Sequence, residues 1–189
     1  MSFKQSVRVS SDRIGALVGK EGKTRQWLED ACKVEVLIDS RTGDTTVTSS
    51  DINDSNPFKA IEIVNAIARG FSQERASRLL NDDVVLSIID IKSYIGKSHN
   101  TLLRIKGRII GEDGKARRLI EELSKANISV YGHTIAVIGK FDQIRLAEDA
   151  IHILVSGGPH KAAYDLLQRH KTAEKVERLK LWEDGDIGQ

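Results

Sequence analysis

The chain has 189 residues, of which 40% are hydrophobic and 30% are charged. This balance is typical of a soluble globular protein and excludes a disordered, fibrous or membrane-embedded chain. The single cysteine, Cys32, excludes an internal disulfide and a cysteine-based metal cluster, and the N-terminal MSFKQSVRVS lacks the apolar core of a signal peptide. We therefore expect a cytoplasmic protein that makes no contact with a membrane.

The net charge of +2 is too small to indicate nucleic-acid binding by itself, so the distribution of charge has to decide. From Arg13 to Arg25 four basic residues stand against one acidic residue, and from Arg104 to Arg118 six stand against two. Either cluster alone is what an ordinary solvated surface would show. Their recurrence at one place in a repeat favours a functional origin.

The first half of the chain predicts the order strand, helix, helix, strand, strand, helix. SVRVS alternates like a strand, Ser11 or Asp12 can cap a short helix through Val18, and residues 23–33 resume a helical pattern. VEVLID and TTVTS then form two strands around the turn SRTGD. The last helix starts at Asn56-Pro57 and is predicted to turn one side inward, namely Phe58, Ile61, Val64, Ala68 and Phe71.

The second half repeats this order after a connecting helix in SQERASRLLND. Its elements are the strand VVLSIIDI, helices at 102–110 and 115–126, the strands ISVYG and HTIAVIG, and a helix at 141–155. After GGPH, a basic amphipathic helix is predicted from about residue 161 to 181, with an apolar stripe of Leu166, Leu167, Ala173 and Val176.

One short segment occurs twice. The stretch LVGKEGKTRQWLE, residues 17–29, returns as IIGEDGKARRLIE, residues 109–121. Around it an offset of 92 aligns seven identical pairs: Gly15/Gly107, Gly19/Gly111, Gly22/Gly114, Lys23/Lys115, Arg25/Arg117, Glu29/Glu121 and Lys33/Lys125. About one match is expected by chance in such a window, so the chain contains a duplicated structural unit.

The repeated segment has the features of a phosphate-binding loop. Two glycines three residues apart let the backbone bend sharply and let a partner come close. The helix that follows presents free N–H groups and the positive end of its dipole. Lys23 and Arg25, and their counterparts in the second copy, fall in the first turn of that helix. Cations are unfavourable there, so their recurrence predicts a nearby polyanion such as a phosphate backbone.

A Gly-x-x-Gly loop between the first two helices of this order resembles the eukaryotic-type (type I) KH domain, here present as GKEG at 19–22 and GEDG at 111–114. The resemblance implies an α+β fold of two KH domains, each a three-stranded antiparallel sheet covered by three helices, plus a C-terminal helix. We expect domains at residues 1–71 and 83–157, a linker helix at 72–82 and a C-terminal helical extension at 158–189. KH loops clamp about four single-stranded nucleotides, which predicts single-stranded RNA binding.

A narrower resemblance lies in DIKSYIG, IKGRIIGEDGKARRLIEELS, SVYGHTIAVIG and SGGPHKAAYDLL. These segments, with the tandem pair, are similar to archaeal relatives of the Dim-two or Partner-of-Nob group of small-subunit ribosome biogenesis factors. That resemblance implies binding near the 3′ end of small-subunit ribosomal RNA. For archaeal members it also implies a complex with the alpha subunit of translation initiation factor two. Neither partner follows from spacing or charge.

The RNA-binding residues implied by the KH resemblance lie along both loops and the apolar grooves beside them. The second loop departs from the usual pattern, since Glu112 and Asp113 repel a phosphate where Lys20 attracts one. Either this loop binds weakly, or the flanking cations outweigh its two acids. An aromatic content of 5% argues against base stacking and for an aliphatic groove floor. The predicted set is Ile14, Gly15, Val18, Gly19, Lys20, Glu21, Gly22, Lys23, Arg25 and Ile38 in the first copy, with Arg108, Ile110, Gly111, Glu112, Asp113, Gly114, Lys115, Arg117, Arg118 and Val130 in the second.

Two other classes of function have some support. Residues 22–24, GKT, look like the end of a nucleotidase phosphate loop, but that pattern requires glycine at Leu17 and a hydroxyl where the second copy has Ala116. The five histidines show no metal-ligand spacing, and we expect no catalytic residue, metal or cofactor. The basic C-terminal helix is compatible with an adaptor that links a translation initiation factor to the small subunit, and equally with packing across the second domain.

Overall fold

The computed structural model describes residues 2–95 and 99–185. The first part of the chain follows the predicted order, and its elements are β1 (Phe3–Arg8), α1 (Ser11–Val18), α2 (Lys23–Cys32), β2 (Glu35–Ile38), β3 (Asp44–Ser49) and α3 (Pro57–Ala68). A short 3-10 turn, Lys20–Gly22, joins α1 to α2. We refer to β1 through α3 as the N-terminal unit.

The connection and the second copy follow. The elements are α4 (Gln73–Ala76), β4 (Val85–Asp90), α5 (Lys92–Ile95), α6 (His99–Ile110), α7 (Lys115–Ser124), β5 (Asn127–Tyr131), β6 (Thr134–Gly139), α8 (Phe141–Val155) and α9 (His160–Gly185). A 3-10 turn, Glu112–Gly114, joins α6 to α7. We refer to β4 through α8 as the C-terminal unit. Gly96 of DIKSYIG and residues 186–189 of the predicted extension lie outside the described residues, as do the side chains of Arg178 and Lys180 in its basic helix.

Several predicted boundaries differ from the structure. The connecting segment is not one helix, because α4 gives way to a 3-10 turn at Ser77–Leu80. The predicted helix at 102–110 begins earlier, at His99. The residue that precedes α1 is Ser10, and its side chain makes no capping hydrogen bond to the described backbone. Its hydroxyl instead lies 3.1 Å from the hydroxyl of Tyr131 in the C-terminal unit.

Each unit contains a three-stranded antiparallel sheet with the last strand in the middle, in the orders β1-β3-β2 and β4-β6-β5. Corresponding registers pair Phe3 with Ser49 in the first sheet and Val85 with Gly139 in the second. Helices cover one face of each sheet, with Leu17 and Leu28 buried in the first core and Ile109 and Ile120 in the second. The predicted α+β architecture is confirmed.

The two central strands are buried differently, and this difference joins the units. In β3 the inward residues alternate with threonines that stay partly exposed, so one face of the first sheet meets solvent. In β6 every residue is buried. Ile135 and Val137 of β6 pack into the C-terminal core, whereas Ala136 and Ile138 pack into the core of the N-terminal unit. Because side chains alternate across a strand, the outer face of the second sheet is covered by the first unit.

Polar contacts surround this apolar seam. The Ser129 hydroxyl donates to the carbonyl of Arg69 at 2.8 Å. The Arg75 guanidinium lies 2.7 Å from the Glu121 carboxylate. The chain between the units therefore binds directly to the second sheet and its helix, which places the units in one arrangement.

The predicted apolar side of α3 is wrong at one position, and the stripe of α9 is only partly covered. Phe58 is 63% exposed rather than inward. It lies in the first turn of α3, and its ring forms a T-shaped pair with that of Phe3 at a centroid distance of 5.1 Å. The stripe of α9 is buried only in its first part, where Ala163 and Leu167 join the C-terminal core, while Val176 is 45% exposed. No helix in the described part of the chain is long and apolar enough to cross a membrane.

Candidate nucleic-acid interface

The two glycine loops have nearly the same backbone conformation. Gly19 has φ 75° and ψ 174°, and Gly111 has φ 71° and ψ 176°. The third loop residue is left-handed in both copies, with φ 56° at Glu21 and φ 51° at Asp113. The glycine N–H groups donate in the same pattern, from Gly19 to Gly15 at 2.9 Å and from Gly111 to Gly107 at 2.8 Å. Two different sequences, GKEG and GEDG, thus form one structure.

The first glycine of each loop is required by packing. A Cβ on Gly19 would lie 2.2 Å from the Thr24 hydroxyl oxygen, and a Cβ on Gly111 would lie 2.6 Å from the Cβ of Ala116. These positions also have positive φ, which side chains rarely adopt. The loop can therefore fold back onto its following helix only with glycine here.

The outer side of each loop is open. Within the described ranges nothing lies within 4 Å of a Cβ placed on Gly22, and at Gly114 the nearest atom is Nη1 of Arg118 at 3.6 Å. The second glycine thus leaves open space beside the start of α2 or α7, where the positive end of the helix dipole favours an anion. The N–H groups of Gly22 and Gly114 themselves donate to the carbonyls of Gly19 and Gly111 at 3.2 Å. A phosphate can approach this backbone without obstruction.

The charges on the two loops differ as the sequence predicts, but ion pairs moderate the difference. Lys23 lies 3.5 Å from Glu21, and Lys115 lies 3.7 Å from Glu112, with all four side chains largely exposed. Lys20 is exposed and makes no ion pair with the described residues. The first loop therefore keeps an available cation at its tip, and the second loop carries acids that its own lysine partly neutralises.

Arg25 and Arg117 have a structural role that the sequence did not reveal. Arg25 lies 3.3 Å from the Glu29 carboxylate, and Arg117 lies 3.9 Å from that of Glu121. Each glutamate also accepts a hydrogen bond from the strand that follows, Glu29 from the Val36 N–H at 2.9 Å and Glu121 from the Ile128 N–H at 2.7 Å. The recurrent Arg/Glu pair therefore lies where a helix is joined to the following strand, and contact of Arg25 or Arg117 with RNA stays a prediction.

Arg108 is also held within the fold. Its Nε donates to the Leu154 carbonyl at 3.1 Å, and its Nη2 donates to the Gly158 carbonyl. Arg13 makes the matching pair of bonds in the N-terminal unit, to the carbonyls of Ile67 at 2.9 Å and Phe71 at 2.8 Å. In each unit an arginine thus ties the helix before the glycine loop, α1 or α6, to the end of the last helix. The Nε and Nη2 groups of Arg108 are therefore already used in hydrogen bonds within the fold. Its predicted position at a groove rim stays a prediction.

The apolar residues predicted for the groove floors lie at core margins. Ile14 is buried at 8% exposure, and Val18 and Ile38 are half-buried against the same N-terminal core. Val130 packs in the same way against the C-terminal core, and Ile110 is half-buried. Each copy therefore offers partly exposed aliphatic surface beside its loop.

Gly107 is a candidate that the predicted set omitted, although its counterpart Gly15 was included. Both glycines are exposed within a helix, and no described atom lies within 4 Å of a Cβ placed on either. A glycine inside a helix costs about 1 kcal/mol relative to alanine, and packing does not require one here. The recurrence of glycine at this position was the sequence signal that could have identified it.

Comparison with known proteins gives consistent results. The model of the second KH domain of PNO1, a eukaryotic-type KH domain (KH-domain type I), matches residues 85–172. The KH domain-containing protein MJ0443 of Methanocaldococcus jannaschii is 39% identical over 179 residues, which cover 93% of this chain and 78% of that protein. The crystal structure of Dim2p from Pyrococcus horikoshii is 43% identical, with a TM-score of 0.81 over 88% of this chain and 99% of that one. Dim2p in an a/eIF2alpha-aDim2p-rRNA complex from the same organism is 42% identical, with a TM-score of 0.84 over 91% and 96% of the two chains.

Proposed function

The chain belongs to the KH-domain family of the PNO1 and Dim2 type, and we propose that it binds single-stranded RNA in pre-rRNA processing through two KH domains. The observation that carries the proposal is the shared conformation of the GKEG and GEDG loops, within about 5° in φ at each glycine. It supports a KH assignment for the N-terminal unit as well as for the matched C-terminal one. The proposed domains span residues 1–71 and 83–157, joined by 72–82 and followed by an extension at 158–189.

The mechanism is a clamp on the RNA backbone. The open second glycine and the N–H groups at the start of α2 or α7 contact phosphates, and the aliphatic groove beside the loop receives the bases. In the first domain Lys20 adds a cation at the loop tip. In the second domain the exposed Arg118, next to Gly114, supplies the cation that Glu112 and Asp113 do not. Arg25, Arg117 and Arg108 act by holding the elements that carry these groups.

Binding, and not catalysis, is the proposed activity. The nucleotidase pattern fails at Leu17 and Ala116, and both side chains are buried beneath the loops, where neither offers a group to a nucleotide. Incubation with ATP or GTP and magnesium should give no turnover. Turnover that Lys23→Ala abolishes would contradict this part of the proposal.

The related complex suggests the partners. Because aDim2p from Pyrococcus horikoshii was crystallised with a/eIF2alpha and rRNA, we propose that this chain binds the 3′ region of small-subunit rRNA and the alpha subunit of initiation factor two. Crosslinking the protein to total RNA of its own source and sequencing the fragments tests the rRNA assignment. Fragments concentrated at the 3′ end of the small-subunit RNA would support it, and uniform coverage would refute it.

An adaptor role for α9 is the second candidate. Beyond Leu167 its side chains through Glu177 are mostly exposed, with Lys125 and Glu174 joined at 3.0 Å. Removal of residues 172–189 should abolish binding of the initiation factor subunit and leave thermal stability unchanged. A drop in stability while partner binding persists would assign α9 to packing alone.

The central experiment compares RNA forms. Two clamps of about four nucleotides each should favour a single strand of roughly eight nucleotides or more over a matched duplex. Affinity should fall with salt at a log-log slope of about −0.7 for each phosphate contact. Equal affinity for both forms, or an affinity independent of salt, would refute the clamp.

A further inference from the structure

A polar cleft lies between the two units, away from both glycine loops. Its volume is about 530 Å³. The N-terminal unit lines it with the end of β1, the start of α1 and the last turn of α3, and the C-terminal unit lines it with the turn between β5 and β6. The cleft therefore exists only because the second sheet packs against the first unit.

Basic side chains from both units face this cleft. Arg8 and Arg69 come from the N-terminal unit, and His133 comes from the C-terminal unit. None of the three side chains forms an ion pair or a hydrogen bond with the residues that the structure describes. Arg8 lies opposite Asp44 in the strand register, yet the two side chains do not form an ion pair.

Asp12 is the acid that lines the cleft among the described residues, and it is already engaged. The Tyr131 hydroxyl donates to the Asp12 carboxylate, and Ser10 adds a second hydrogen bond. These bonds, Tyr131 first, hold the pKa of Asp12 below its usual value of 3.8. Arg13 stacks over the Tyr131 ring at 5.8 Å, so its charge also lies near this contact. Asp12 is thus ionised at neutral pH but satisfied, and it leaves the arginines on the cleft walls without an acceptor.

We propose that this cleft binds a phosphate group, which bridges Arg8 and Arg69 of the first unit and His133 of the second. Guanidinium groups match both carboxylates and phosphates in geometry. A phosphate is favoured here because its oxygens can accept from donors in three directions, whereas the two oxygens of a carboxylate lie in one plane. The volume lies in the range of small-ligand pockets, which leaves ample space for a phosphate group. Such a ligand would also stabilise the arrangement of the two units, because its contacts come from both.

Two sources can supply this phosphate. One is a phosphodiester of the RNA strand held by the first loop, and that version rests on the proposed function. Helix α1 has eight residues and is therefore about 12 Å long, with the cleft at its start and the GKEG loop at its end. A strand of a few nucleotides spans that length. The other source is a free phosphate or a free nucleotide.

The test separates the cleft from the loops. Inorganic phosphate is titrated by calorimetry into the wild-type protein, the double variant R8Q/R69Q and the control variant R145Q/R169Q. The control removes two exposed arginines outside the cleft and so matches the change in net charge. We expect R8Q/R69Q to weaken phosphate binding about tenfold or more, as the removal of charge-assisted hydrogen bonds implies. Equal phosphate affinities of R8Q/R69Q and R145Q/R169Q would overturn the proposal.

A second titration identifies the source. Under the RNA version, R8Q/R69Q reduces the salt slope for a single-stranded oligonucleotide by about 0.7 for each phosphate that the cleft no longer holds, and R145Q/R169Q does not. Weakened phosphate binding with an unchanged RNA slope assigns the cleft to a free phosphate. Because the first titration contains no RNA, failure of the clamp mechanism would leave its result intact.

Discussion

The roles of the two loops can be tested by exchanging their sequences. The variant K20E/E21D converts GKEG into GEDG, and E112K/D113E does the reverse. The structure shows that the exchange is conformationally safe, because Glu21 and Asp113 occupy the same left-handed conformation at φ 56° and φ 51°. Aspartate tolerates this region well. Both middle residues of each loop are exposed, so the core should not change.

The size of the expected change in RNA affinity follows from the charges at the loop tips. Lys20 is exposed without an ion pair among the described residues, so K20E removes one available cation and places a carboxylate beside the RNA backbone. A hydrogen bond to a charged group contributes about 1.5–3 kcal/mol, and a tenfold change in affinity corresponds to about 1.4 kcal/mol. We expect K20E/E21D to weaken RNA binding by roughly 10- to 100-fold and E112K/D113E to strengthen it.

The assay measures both variants and their combination on one single-stranded oligonucleotide at two salt concentrations. The combined variant has the net charge of the wild type, so it separates local contacts from the overall field of the protein. Circular dichroism and thermal unfolding verify that each variant folds. Unchanged affinity of a folded K20E/E21D would mean that the GKEG loop does not touch RNA, and the two-clamp reasoning would be wrong.

Three further predictions concern other parts of the molecule. Gly15→Ala should raise the free energy of unfolding by about 0.5–1 kcal/mol, since a Cβ there meets no described atom within 4 Å, and yet weaken RNA binding; unchanged affinity would show that RNA does not approach α1 at this position. Burial raises the pKa of the Cys32 thiol to about 11 from its ordinary 9.0, so iodoacetamide at about pH 8 should label the protein only after denaturation. Because the thiol ionises more easily in the unfolded chain, the free energy of unfolding should fall as the pH rises from 9.0 to about 11. Rapid labelling of the native protein would contradict this. Ile138→Ala should lower the free energy of unfolding by about 2–5 kcal/mol. Because Ile138 belongs to the second sheet but packs in the first core, both units should unfold in urea in one transition, which the variant shifts to lower concentration. Separate transitions of the two units in the wild type would count against a shared core.

The sequence by itself determined the local structure of this protein. The strand and helix order in both copies, the duplicated glycine loops and the start of α3 at Pro57 all followed from short-range signals. Such signals suffice because a turn with positive φ, a helix start and an alternating strand each depend on neighbouring residues. The loop conformation is the clearest example, since the glycine at 19 or 111 is dictated by a residue only five positions later.

Tertiary structure decided which charged residues remain free and how the units meet. Arg25 and Arg117 belong to predicted loop clusters, but N–H groups of the strand that follows share their glutamate partners, and neither the helix pattern nor the strand pattern encodes that arrangement. The apolar residues 135–138 are typical of a strand that is buried on both faces, but only the fold shows that Ala136 and Ile138 meet the first unit. The cleft around Arg8, Arg69 and His133 has the same origin, because its walls come from chain segments more than 60 residues apart. Contacts of this kind depend on how the surfaces of two folded units pack against each other, so they are a property of the tertiary structure.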